Sequence, residues 1–265
     1  MVKNQFAFGC RIVGSALAVG LSISGAGATA ADAPIRLGAL EFAPYYEMID
    51  GKLSGPLADL LIQIWQHAGY STTGEIFPPP RLVANLIEGR VQSSVLANDP
   101  MLAQSNAVLR SRDPVGELVL NLYSTGQPAP IGGREDLRGK TVAVVRGYSY
   151  GGLRAWMNQP ENGVRVEEVN GVEAVVRMLA SNRVTLALLY DINFETGSKA
   201  MGGQPTGVFE NRFLRIPLYV YVNKNVAPDP QAVLDRLVAA HDDLLRRGML
   251  NAAVAHPAPE AGKGG

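Results

Sequence analysis

Residues 75–96 read EIFPPPRLVANLIEGRVQSSVL, and they decide the fold class. Glu75 to Phe77 is extended and apolar at its end. Pro78-Pro79-Pro80 then breaks the strand and supplies the proline that a first helical turn tolerates. Leu82, Val83, Leu86 and Ile87 recur at helical spacing as far as Gly89, and Val91 to Leu96 turns extended again. Strand, helix and strand within this length is a βαβ unit, which implies parallel pairing.

The same alternation extends in both directions. Upstream, Ile35 to Ala39 is a buried strand, followed by an apolar stripe of Leu57, Leu60, Leu61, Ile64 and Trp65 that stops at Gly69. Downstream, Val115 to Tyr123 is a strand, and Ser124 to Gly133 is rich in Gly and Pro, as a lobe boundary would be. The pattern then restarts with a strand at Thr141 to Val145, a helix from Gly151 to Met157 and a strand at Val164 to Val169. Asn170 is placed to cap a helix carrying Val172, Val175, Val176 and Leu179, with Glu173 set for a capping box. Thr185 to Tyr190 is the next strand, Gly197 to Gly207 a glycine-rich passage, and Phe213 to Val222 extended chain. A helix from Pro230 to Arg247 closes the pattern, and no internal repeat is visible.

The ends have a different character. Lys3 and Arg11 bracket a basic start, Ile12 to Ile23 is apolar, and Ala28-Thr29-Ala30 offers small residues to a signal peptidase. Residues 1–30 are therefore expected to be a cleaved signal peptide, and the mature chain a periplasmic protein with no inserted segment. Cys10, the single cysteine, precedes the apolar run, so cleavage leaves no thiol and no disulfide. Residues 256–265, rich in Pro, Gly and Ala, are expected to be disordered. Lys and Arg number 24, as do Asp and Glu, and loss of Lys3 and Arg11 tips the balance only slightly acidic. Nothing in that balance recruits nucleic acid or an anionic membrane. A 47% hydrophobic content with 18% charged residues fits a globular chain with a sizeable core.

Several stretches resemble, in order, the family 3 extracellular solute-binding proteins that serve amino-acid-type ABC importers. Phe42-Ala43-Pro44-Tyr45, then Asp50-Gly51-Lys52-Leu53-Ser54-Gly55 and Asp59-Leu60, is similar to that family's opening. Asp136 to Val144 is similar to its second-lobe strand entry, Leu179 to Leu189 to a later strand, and Leu234 to Gly248 to its closing helix. The resemblance implies an α/β fold of two lobes, the type II periplasmic-binding fold. Each lobe would be a mostly parallel sheet flanked by helices, with crossing strands near Tyr123–Gln127 and Phe213–Pro217. Lobe 1 would comprise 31–124 and 216–255, and lobe 2 would comprise 125–215. A small-molecule ligand would lie between them, and the expected partner is an ABC permease that receives the closed, monomeric protein.

The resemblance also implies site residues. Phe42 matches the aromatic that covers the ligand, with Tyr45 in the same loop. Gly147-Tyr148-Ser149, with Tyr150, matches the turn whose amides and hydroxyl hold a carboxylate. Two family charges have no direct match. No Arg or Lys lies between Leu96 and Leu109, where Gln104 or Ser105 takes the place of a clamping arginine. The position of the ammonium-binding Asp is Tyr190, with Asp191 one residue later. Glu41 and Arg81 are the candidate replacement charges.

Enzymatic readings rest on fewer residues. Gly147-Tyr148-Ser149-Tyr150-Gly151 is a G-x-S-x-G between strand and helix, with Asp191 and His241 in the order of an α/β-hydrolase. A dehydratase of the same scaffold could use Asp191 or Glu195. His67, His241 and His256 are scattered, so no metal is expected, and no phosphate or dinucleotide fingerprint implies a cofactor. A binding protein rather than an enzyme is the expectation carried forward, with ligand sensing as the other non-enzymatic outcome.

Overall fold

The computed structural model describes residues 33–127 and 131–254. The expected signal peptide, Cys10, His256 and the expected tail lie outside the described residues.

The chain begins with β1 (Ile35–Leu40), a hairpin of β2 (Glu47–Ile49) and β3 (Lys52–Ser54), α1 (Pro56–His67), β4 (Thr72–Phe77), α2 (Pro79–Ile87) and β5 (Ser93–Ala97). A short α3 (Pro100–Gln104) and β6 (Val108–Arg110) lead into β7 (Gly116–Thr125). Then come β8 (Thr141–Val145), a 3₁₀ turn at Tyr150–Gly152, α4 (Leu153–Met157), β9 (Arg165–Val169), α5 (Val172–Ala180) and β10 (Leu186–Tyr190). The last elements are α6 (Asp191–Ala200), β11 (Val208–Asn223) and α7 (Pro230–Arg246).

The strands form one nine-stranded sheet in the order β4-β1-β5-β11-β7-β10-β8-β9, with β6 also on β11. β4, β1 and β5 are parallel, as are β10, β8 and β9, which matches the βαβ reading of each half. Between these two groups lie β7 and β11, antiparallel to each other from Gly116–Leu218 to Thr125–Val208. β11 joins the first group through Leu218–Val222 on β5, and β7 joins the second through Leu120–Ser124 on β10. Each group is thus mostly parallel, as expected of each lobe, and the two long crossing strands add the antiparallel pairs that make the whole sheet mixed.

Packing follows the apolar stripes. In α1 the residues Leu57, Leu60, Leu61, Ile64 and Trp65 are all buried, each aliphatic side chain contributing about 1.5–3 kcal/mol on leaving water. The Trp65 indole N–H donates to Ser93 Oγ at 3.0 Å, and Ser93 donates to the Tyr221 carbonyl at 2.8 Å, tying α1 to β5 and β11. α2 starts on Pro79 and Pro80 and buries Leu82, Val83 and Leu86 in a second cluster with Val91, Leu96 and Tyr221. A third cluster joins Val175, Val176 and Leu179 of α5 to Ala187 and Leu189 of β10.

Three local expectations are corrected. Asn170 does not cap α5. Gly171, in the left-handed region at φ 82°, takes the cap position without a side-chain bond, so Asn170 falls one residue too early. Glu173 pairs instead with Arg177, one helical turn on. The glycine-rich passage from Gly197 begins inside a helix, since α6 extends into it as far as Ala200. Gly197 is where α6 crosses α5, and a Cβ there would sit 2.8 Å from Val176 Cγ2, so this glycine serves close helix packing. The 151–157 helix is also shorter than expected, reduced to a 3₁₀ turn and α4 by Gly151 and Gly152, both at positive φ.

Candidate functional site

The loop Phe42–Tyr46 is held closed from both ends. The Tyr46 amide donates to the Phe42 carbonyl at 3.0 Å, and the Leu57 amide donates to the Tyr45 carbonyl at 3.1 Å. Gly55 lies against the loop so closely that a Cβ would be 2.6 Å from the Pro44 carbonyl oxygen. Its φ of 109° and this contact both require glycine there. Tyr46 is anchored by its hydroxyl to the Val95 carbonyl at 2.9 Å, and Phe42 and Tyr45 are the loop's other two aromatic rings.

Those two rings meet three tyrosines from the other side of the crossing strands. Phe42 stacks on Tyr45 at 4.7 Å between centroids and 10° between planes. It meets Tyr148 edge-on at 5.0 Å and Tyr190 at 5.3 Å. Tyr150 stacks on Tyr190 at 5.7 Å, and its hydroxyl accepts from the Val145 amide at 2.8 Å. Offset and edge-on pairs of this kind each contribute about 0.5–1.5 kcal/mol beyond area burial. The five rings therefore join the Phe42 loop to the loop after β8 and the end of β10. Phe42 and Tyr148 are in direct contact, so a solute between them must separate them.

Polar contacts accompany the rings. The Tyr45 hydroxyl donates to Asp191 Oδ1 at 2.8 Å, and the same oxygen accepts from the Ile192 amide at 2.8 Å. Tyr148 donates to the Ala43 carbonyl at 3.3 Å, and Asn193 Nδ2 donates to the same carbonyl at 3.1 Å. Asn193 is fully buried, and its Oδ1 has no hydrogen-bond partner among the described residues. Burial, and then the Asp191 charge, push the Tyr45 phenol well above its ordinary value, so it remains a proton donor at neutral pH. Burial pushes Tyr148 up to about 12 and raises Tyr150 and Tyr190 further.

Phe42, Tyr45, Tyr148, Tyr150 and Asp191 thus come together. Gly147, at φ 83°, turns the chain into the cluster just before Tyr148. Ser149 is exposed and makes no cap bond. It lines a cavity of about 340 Å³ with Gly147, Tyr148, Arg154, Asn158 and Glu168. Glu41 is exposed at the end of β1, and Arg81 is exposed on α2, so neither joins the rings. Gln104 is exposed, and Ser105 accepts from the Ala107 amide. The basic group of that region is Arg110, bonded to Asn98 Oδ1 at 2.8 Å and stacked over Tyr219.

The hydrolase constellation is not assembled. Among the described residues lining the Ser149 cavity there is no histidine. His241 is buried in α7, with Nδ1 on Asp242 at 3.0 Å. Glu195 is exposed on α6. Among the described residues, no group of three or more His, Asp and Glu side chains could hold a metal ion, and no helix is long and apolar enough to cross a membrane.

Sequence reasoning missed Tyr190 and Asn193 as members of the cluster. Tyr190 stands where the related pattern has its aspartate, which was the available signal. Asn193 carried none, because the sequence pattern assigns no element to the residues just after Tyr190.

No protein-family model matches the chain, and no curated protein matches it. Solved structures do. An ancestral arginine-binding protein bound to arginine is 22% identical at a TM-score of 0.56, over 82% of this chain and 94% of that one. A histidine kinase sensor domain with similarity to periplasmic binding proteins is 17% identical at 0.61, over 84% and 98%. The probable amino-acid ABC transporter extracellular-binding protein ytmK from Bacillus subtilis is 17% identical at 0.61, over 82% and 94%. The chain has the two-lobed, periplasmic-binding-protein-like α/β fold.

Proposed function

We propose that this chain is an exported solute-binding protein whose lobes part and close around a small polar solute, and that an ABC permease receives the closed form. The observation that carries this reading is the Tyr45–Asp191 bond within the five-ring cluster, which joins side chains from both sides of the crossing strands. Contacts of this kind favour one lobe arrangement over another, and a solute that replaces them with better ones shifts that equilibrium. Interlobe clefts are common small-molecule sites, and bending of crossing strands is the usual accompanying motion. In this reading Phe42 covers the solute and the Gly147–Tyr150 turn offers backbone amides to its anionic end. The Asp191 carboxylate, on leaving Tyr45, accepts from its cationic or hydroxyl end. Localisation in the periplasm and lobes that meet within β7 and β11 belong to the same reading.

A thermal-shift screen of the mature chain against amino acids, amines, organic acids and sugars tests it, with mass analysis of each mixture. A solute that binds only the native state raises the melting temperature by mass action. A shift with the solute recovered intact supports binding. Chemical conversion, or no shift with any class, defeats the reading. The likeness to a histidine kinase sensor domain supports a second outcome, in which a membrane receptor rather than a permease reads the closed form. Co-purification from detergent-solubilised membranes, with and without the solute, separates the two.

A further inference from the structure

A cavity of about 540 Å³ lies against the crossing strands, lined by none of the five rings but reaching the cluster through Asp191. Glu117 of β7, Arg212 and Arg215 of β11, and Asp191 of α6 line it, and Leu245 and Leu250 form an aliphatic wall at the end of α7 and just beyond. Its volume is within the range of about 300–1,000 Å³ usual for small-molecule sites.

The charges there are unequally engaged. Arg215 is paired with Glu117, whose side chain is only 10% exposed. Asp191 Oδ1 accepts from both the Tyr45 hydroxyl and the Ile192 amide. Arg212 has no ion-pair partner among the described residues, yet it faces the same space. Its guanidinium is exposed and so open to an anion, and its planar fork suits a carboxylate. The neighbouring carboxylates of Glu117 and Asp191 repel a second negative charge, which disfavours dicarboxylates and phosphates. The leucine wall favours a hydrocarbon body on the acid.

We propose that this crossing-strand cavity is a second solute site, one that takes a small aliphatic monocarboxylate with its carboxylate on Arg212. The proposal does not rest on the reading of the ring-lined cleft: the two places share Asp191, but the anchoring Arg212 belongs to the cavity alone.

Calorimetric titration of the full chain with valerate, valeramide and glutarate tests it, since the three share a chain length and differ in charge. Valerate is expected to bind saturably, with valeramide and glutarate at least about tenfold weaker. Arg212→Gln is expected to abolish the preference for valerate over valeramide, and Arg212→Lys to retain it. Melting curves confirm that both variants fold, as the exposed position of Arg212 leads one to expect. Absence of valerate binding, or equal binding of valerate and valeramide, overturns the proposal. So does a valerate site that survives Arg212→Gln but is lost in Phe42→Ala, because it would place the acid among the rings.

Discussion

Removing the Tyr45 hydroxyl, alone and together with Asp191, tests whether the two halves of the protein are joined in solution as they are in the structure. The bond is 2.8 Å long, its donor ring is fully buried and its acceptor is a carboxylate. Hydrogen bonds to charged groups contribute about 1.5–3 kcal/mol net. Tyr45→Phe leaves Asp191 partly exposed and still accepting from the Ile192 amide, so water can replace the phenol. Its cost should fall around the lower end of that range, about 1–2 kcal/mol. Asp191→Ala is more damaging, because it leaves the Tyr45 hydroxyl buried without an acceptor, a penalty of about 1–3 kcal/mol. It also removes the acid from the first turn of α6, worth about 0.3–1 kcal/mol. The double variant should cost little more than Asp191→Ala, giving a coupling of about 1–2 kcal/mol. Urea unfolding of the four proteins, extrapolated linearly to water, measures each corner of the cycle. Additivity within about 0.5 kcal/mol would refute the reasoning, since sites that do not touch in solution add to that precision.

Phe42→Ala removes ring contacts to Tyr45, Tyr148 and Tyr190. It should weaken any cleft-bound solute at least about tenfold while the protein still folds, because each ring pair is worth about 0.5–1.5 kcal/mol. A protein that no longer folds would make Phe42 purely a core residue. Ser149→Ala should leave unfolding free energy within about 0.5 kcal/mol of the parent, because the hydroxyl is exposed and caps nothing. Loss of a measurable ester hydrolysis in that variant would instead identify a nucleophile. Gly55→Ala places a Cβ 2.6 Å from the Pro44 carbonyl oxygen at φ 109°, and should cost more than about 2 kcal/mol in urea unfolding. Alkali should destabilise the fold within a defined window. Unfolded tyrosines ionise near 10.0, whereas burial holds Tyr148 protonated up to about 12, so the unfolded state loses its proton first. Stability is then flat below pH 10.0 and falls as pH rises towards about 12, with phenolate absorbance appearing together with unfolding.

The parallel groups of strands were legible because their helices carry apolar stripes at a period the sheet enforces. Leu57 to Trp65 and Leu82 to Leu86 are buried where the spacing placed them. The β2–β3 hairpin was missed although its turn signal was present. Asp50 and Gly51 both take positive φ, as a two-residue hairpin turn demands, but the flanking strands have only three residues each. α6 was missed for a different reason. Its packing against α5 depends on the small residues Gly197 and Ser198, and small residues in a polar stretch read as loop.

Asp191 illustrates how such a misreading spreads to the site. One residue beyond Tyr190, it would face the opposite side if the strand continued, because side chains alternate along a strand. That argument holds only while the strand continues. β10 ends at Tyr190, and Asp191 is the first residue of α6, so the alternation stops just before it. Tyr190 turns into the ring cluster and Asp191 reaches the Tyr45 hydroxyl, and both thus face the Phe42 loop. The aspartate offset by one residue is therefore compatible with a site there. The clamping arginine is a separate matter. The loop after β5 offers none at that place, and Arg110 is engaged with Asn98 and Tyr219. In the five-ring cluster, the groups left to meet a solute's anionic end are the Gly147–Tyr150 backbone and hydroxyls. A neutral or cationic solute should then bind the cleft better than an anionic one, and the amine and organic-acid arms of the thermal-shift screen compare the two directly.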